Sequence, residues 1–169
     1  MVYELARERI NALERRVPII GAILAGFLGG IVVLPPLAQS LYLIGLPLAL
    51  WWYLWTTIVH ARSFEDVLRR IEEIEGEVNT AAGRTTLCFQ SSHPSRGRAV
   101  GGRTGTTTVR GVAITVLGML AACWMLVTSL LGLSPVELFL YLSWLVVIGV
   151  TACIGLIYFD LYRYRRVAR

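Results

Sequence analysis

His60 stands just ahead of Glu65 and Asp66, and a base close to an acid is the pattern by which side chains activate a nucleophile or a water. Little else in the chain would join it. The second histidine, His93, lies in a distant polar segment, and neither imidazole has a Ser or Cys at a spacing that makes a nucleophile–base pair. Cys88, Cys123 and Cys153 form no CxxC or other ligand spacing, so neither a zinc site nor a disulfide framework is implied. Cys123 and Cys153 fall in apolar segments, where a thiol behaves as a small hydrophobe. A bis-imidazole haem needs two histidines inside an apolar bundle, and neither His60 nor His93 is so placed. The expectation is a chain without catalytic residues, metal site or cofactor.

The spacing from His60 to Glu65 resembles, in outline, the His-x4-Asp pattern of glycerolipid acyltransferases. The acid at that spacing is Glu, and nothing else of that family is present. A lipid-modifying enzyme is therefore the third of three functional readings. The polar groups deep in the apolar segments are hydroxyls: Thr115, Thr128, Ser129, Ser143 and Thr151. No ionisable group accompanies them, whereas proton relays and ion paths use buried Asp, Glu, His or Arg. Hydroxyls can line a pore, so these five are the candidate lining of a small homo-oligomeric channel, the second reading. Their simpler use is a hydrogen bond to a carbonyl one turn back.

The elements carrying these residues are read from hydropathy. Of the 169 residues 56% are hydrophobic and 16% charged, against about 25% charged in soluble domains. Four stretches hold no Asp, Glu, Arg or Lys inside them: Val17 to Leu34, Leu41 to Val59, Val112 to Leu133, and Leu138 to Phe159. Each approaches the roughly 20 residues a helix needs to cross a bilayer core. The fold class expected is an all-α membrane protein of four transmembrane helices in two hairpins, with a short amphipathic cytoplasmic helix between them. The boundaries are an amphipathic N-terminal helix over 1–16, a first hairpin over 17–60, a heptad-like helix over 63–80, a flexible basic linker over 81–110, a second hairpin over 111–160 and a basic tail over 161–169. Glu4, Glu8 and Glu14 ahead of the first stretch, and its length, are unlike a cleaved leader.

Every one of the sixteen basic residues is Arg. All lie in the leading segment, the central loop and the tail, and none in the turns at Pro35-Pro36 and Ser134-Pro135. Arginine collects on the cytoplasmic side, so an integral membrane protein of the plasma or another energy-conserving membrane is expected, both termini cytoplasmic. Trp51, Trp52, Tyr53 and Trp55 near the end of the second stretch, with Tyr158, Phe159, Tyr162 and Tyr164 near the end of the fourth, fit interfacial anchoring. Arg96, Arg98, Arg103, Arg110, Arg163, Arg165 and Arg166 are candidate contacts to anionic lipid headgroups at the inner surface. Nucleic acid is not an expected partner, because the net charge of +5 has an insertion reason and the loop lacks interleaved aromatics.

Two surfaces stand out for assembly. Gly21, Ala25 and Gly29, and likewise Ala22, Gly26 and Gly30, lie four apart, a pattern that lets another helix backbone approach closely in lipid. The neighbour is either the rest of the bundle or another subunit. Phe64, Val67, Ile71, Ile74 and Val78 repeat at alternating three and four, the seam of a coiled coil, behind Ser63 as an expected N-cap. This seam meets the leading helix, another subunit, a partner or the membrane surface. Thr104 to Val109 is expected to be a short extended piece. Pro47 inside the second stretch frees a carbonyl that a neighbour must satisfy. The first functional reading is a non-catalytic membrane subunit that assembles with itself or a larger complex.

Overall fold

Long uncharged runs without turn residues have one way to satisfy their backbone in an apolar setting, and that is the helix. The computed structural model describes residues 2–31, 33–93, 100–130 and 132–164. Over these the chain forms α1 (Val2–Glu14), α2 (Arg16–Gly30), α3 (Pro36–Ala82), α4 (Gly102–Leu130) and α5 (Pro135–Tyr164). No strand occurs among the described residues. Three of the helices, α3, α4 and α5, are long and apolar enough to cross a membrane. The protein is all-helical and its apolar helices are suited to a lipid bilayer.

The first expected span behaves differently. α2 has 15 residues, about 22 Å of helix at 1.5 Å per residue, against a core of about 30 Å. Pro18 explains its start: lacking an N–H, it cannot bond the Glu14 carbonyl and crowds it. The interruption at Arg15 is slight. Arg15 keeps helical angles (φ −67°, ψ −17°), and hydrogen bonds run from Arg15 N to Asn11 O at 3.2 Å and from Ile19 N to Arg15 O at 3.3 Å.

α3 corrects the expected boundary at 60–63. It runs for 47 residues without a break, about 70 Å, so the second apolar stretch and the heptad segment are one rod. Ser63 lies inside it and caps nothing. No Gly or Pro falls between Val59 and Ser63, so nothing local stops the helix. It stops at Gly83, whose φ of 61° is the left-handed geometry that ends helices and suits glycine.

The expected linker over 81–110 is also corrected. Residues 102–110 are helical, and Thr104 to Val109 forms the first turns of α4 instead of an extended piece. Gly101 and Gly102 turn the chain sharply, with φ of 66° and 64°. The Gly101 N–H then donates to the Glu65 carboxylate at 2.9 Å, a cap supplied from α3. Residues 84–93 are tied to α3 too: Asn79 Oδ1 accepts the Thr86 and Leu87 N–H groups at 2.6 and 2.8 Å.

At the centre of the packing, α3 and α4 touch each other, α3 also touches α1 and α5, and α4 touches α1, α2 and α5. Leu50 and Leu54 of α3, Val112 and Val116 of α4, and Ile148 of α5 are buried in the shared core.

Candidate functional site

α2 meets the bundle with its large side chains. Ile20, Phe27 and Ile31 are buried, and Phe27 stacks on Tyr42 of α3 with ring centroids 5.6 Å apart. The small residues face the other way. Gly21, Ala22, Ala25, Gly26 and Gly29 are exposed and Gly30 half-buried. A Cβ added at Gly21, Gly26, Gly29 or Gly30 would meet no atom within 4 Å. No described part of the bundle covers this stripe at those four glycines. Gly155 on α5 is different: a Cβ there would lie 3.3 Å from the Trp55 ring and 3.4 Å from Ile58. Its missing side chain is what lets α3 and α5 close.

At the polar end of the bundle, α2 is tied to α3 through Arg16. Its guanidinium donates to the Thr57 and Thr56 hydroxyls at 2.9 and 3.1 Å, and a second nitrogen lies 3.2 Å from His60 Nδ1. The same imidazole nitrogen is 2.7 Å from the Thr56 carbonyl, and the Tyr53 hydroxyl donates to the Arg16 carbonyl at 2.6 Å. Glu65 faces α4 and pairs with Arg69 at 3.3 Å. His60 and Glu65 therefore serve different networks.

α5 is fastened to α3 by arginine–tyrosine contacts. The Arg62 guanidinium lies 4.2 Å from the ring centroids of both Tyr158 and Tyr162, a cation–π arrangement. The Tyr162 hydroxyl donates to Asp66 at 2.6 Å, and Arg69 donates to the Tyr162 carbonyl at 3.2 Å. These aromatic residues hold helices together as well as sitting where the apolar run ends.

The heptad seam is rotated relative to its sequence pattern. Phe64 and Ile71 are buried, Val67 and Ile74 only half-buried, and Val78 is exposed. The buried stripe is Ala61, Phe64, Leu68, Ile71 and Glu75. Glu75 is fully buried, and its two oxygens accept the Gln90 and Ser91 N–H groups at 2.8 and 2.9 Å. Burial pushes its carboxyl up, but donors from Gln90, Ser91 and Phe89 outweigh this and hold it below the usual carboxylate range. Sequence reasoning missed Glu75 because apolar periodicity passes over acids. The signal available was its place in register with Phe64, Leu68 and Ile71.

The five hydroxyls do not converge. Thr115 donates to the Gly111 carbonyl at 3.0 Å, Ser143 to Phe139 at 2.9 Å and Thr151 to Val147 at 2.9 Å. Thr128 donates to Met125 at 2.9 Å, and Ser129 donates to the same carbonyl. Each is satisfied within its own helix. Among the candidate headgroup contacts, Arg103 and Arg110 are exposed on α4. Arg96, Arg98, Arg165 and Arg166, and the side chain of Arg163, lie outside the described residues. No group of three or more His, Cys, Asp or Glu suited to a metal ion occurs among the described residues.

No protein-family model, curated protein or solved structure matches this chain. Its function has to be argued from its own surfaces.

Proposed function

We propose that this chain is a non-catalytic integral membrane subunit that assembles with itself or with a larger membrane complex through the glycine face of α2. In this reading it crosses the bilayer four times as two hairpins with both termini cytoplasmic. The confinement of arginine to the two ends and the central segment supports this orientation. One observation carries the assembly reading: α2 points its large residues inward and leaves Gly21, Gly26 and Gly29 with nothing beside them. In lipid, association is driven by close packing and not by the hydrophobic effect, and a small-residue groove offers that packing only to another helix. The heptad segment adds a second contact at Val78 and the half-buried Val67 and Ile74. The arginine-bearing segments rest on anionic lipid.

The test is the mass of the particle released from membranes or mild detergent, measured by native mass spectrometry. The wild type is expected as a homo-oligomer or with companion polypeptides. Gly21→Leu with Gly26→Leu is expected to yield monomer of unchanged helical content. A wild type that emerges as a lone monomer from lipid nanodiscs and detergent alike removes the proposal.

The alternative, a small homo-oligomeric pore, draws on the exposure of Thr128, Ser129 and Ser143. It requires these faces to meet around a shared axis and predicts ion flux from purified protein in liposomes. Silent liposomes would dispose of it.

A further inference from the structure

Where α1 gives way to α2, the first turns of α4 pass alongside and leave a cleft of about 280 Å3. Glu14 and Val17 line one side, and Arg103, Thr104, Thr107 and Thr108 the other. The cleft sits immediately before the apolar runs that begin at Val17 and Val112, so it opens at the level where a bilayer changes from hydrocarbon to headgroups.

Its contents are unpaired. Thr108 is only 4% exposed, it lines the cleft, and its hydroxyl has no hydrogen-bond partner among the described residues. That hydroxyl is therefore free to bond a group that enters the cleft. Arg103 and Glu14 are both exposed and line the same space, yet no ion pair joins them among the described residues. One cation, one anion and free hydroxyls give the cleft a balanced charge. Beyond it lies an apolar path. At Gly111 the sole atom within 4 Å of an added Cβ is Val17 Cγ2, at 3.9 Å, and Ile114 farther along is 72% exposed.

We propose that this cleft holds the headgroup of a zwitterionic aminophospholipid from the adjoining leaflet. The phosphate lies against Arg103 and the Thr108 hydroxyl, the primary ammonium against Glu14, and an acyl chain follows the path past Gly111. A net-anionic headgroup brings nothing to satisfy Glu14. A phosphocholine has no N–H to donate to it. The inference needs the helices to stand in a bilayer but not α2 to assemble, so it can fail or stand independently of the oligomeric state.

The experiment is native mass spectrometry of the full chain from micelles containing equal phosphatidylethanolamine, phosphatidylglycerol and phosphatidylcholine, scoring lipids retained per protomer. The wild type is expected to retain the ethanolamine lipid about tenfold over the other two, the scale of one charge-assisted hydrogen bond. Glu14→Gln is expected to erase the preference over phosphatidylcholine while keeping binding. Arg103→Gln is expected to lower retention of all three. Both sites are exposed, so neither change threatens the fold. Thr108→Val, equal in shape, is expected to weaken retention about threefold at unchanged thermal stability. Equal retention of the three lipids by the wild type, or a preference untouched by Glu14→Gln and Arg103→Gln, would overturn the assignment. Soluble phosphoethanolamine binding as tightly as the lipid would overturn it as well, because the ligand would then not be a membrane lipid.

Discussion

The Tyr141 hydroxyl on α5 donates to the Leu43 carbonyl on α3 at 3.0 Å, and Leu43 is the residue whose helical donor Pro47 removes. A proline inside an apolar helix leaves the carbonyl four residues back without its N–H, and no water is present in hydrocarbon to replace it. Here another helix supplies the missing proton.

Tyr141→Phe is therefore expected to destabilise the bundle by about 0.5–1.5 kcal/mol, the range for interhelical hydrogen bonds in membranes. Pro47→Ala restores the N–H to Leu43 and makes the tyrosine redundant. In a double-mutant cycle the Tyr141→Phe effect should shrink in the Pro47→Ala background. Equal effects in both backgrounds would show that the hydroxyl acts elsewhere.

Gly155 faces Trp55 and Ile58 so closely that an added Cβ would lie 3.3–3.4 Å from their side chains. Gly155→Val is expected to cost about 1–3 kcal/mol through overpacking, read as a lower midpoint in thermal or denaturant unfolding. Gly118→Val, on α4 with nothing within 4 Å of its Cβ position, should leave the midpoint nearly unchanged.

Glu75 makes the attachment of residues 87–93 sensitive to acid. Its carboxyl lies below the usual carboxylate range when folded, so the bonds to Gln90 and Ser91 contribute fully above the unfolded value. That contribution is lost as pH falls through the folded one. Hydrogen exchange at the Gln90 and Ser91 amides should be slow at neutral pH and accelerate on acidification, beyond the intrinsic pH dependence. Glu75→Gln should exchange fast throughout. A wild-type protection factor that does not change with pH would refute the assignment.

Gly101 has φ of 66°, and a Cβ there would lie 2.8 Å from the Ala61 carbonyl oxygen. Gly101→Ala should cost about 2 kcal/mol or more, combining backbone strain with a clash that only the chain can relieve. Glu65→Gln keeps the shape but loses the ionised acceptor of the Gly101 N–H. It is expected to destabilise less than Gly101→Ala, with the loss confined to the start of α4 in hydrogen exchange.

Much of the helical architecture was legible along the chain because hydropathy and backbone sterics are properties of neighbours in sequence. The uncharged stretches at 41–59, 112–130 and 138–159 needed no distant partner to become helices. Pro47 announced its own unsatisfied carbonyl, and the Gly21 and Ala22 ridges their own lack of bulk. The tertiary structure decided everything that depends on a buried charge. Glu65 starts α4 among threonines and a glycine, where local propensity favours extended chain. Glu75 turns the heptad seam by one residue because the backbone of residues 90–91 neutralises the cost of burying it. It also decided that the glycine ridge of α2 faces away from its own bundle. A carboxylate enters a core only where donors await it, and those donors lie 15 and 36 residues away in the chain. Periodicity, a local property, cannot register them.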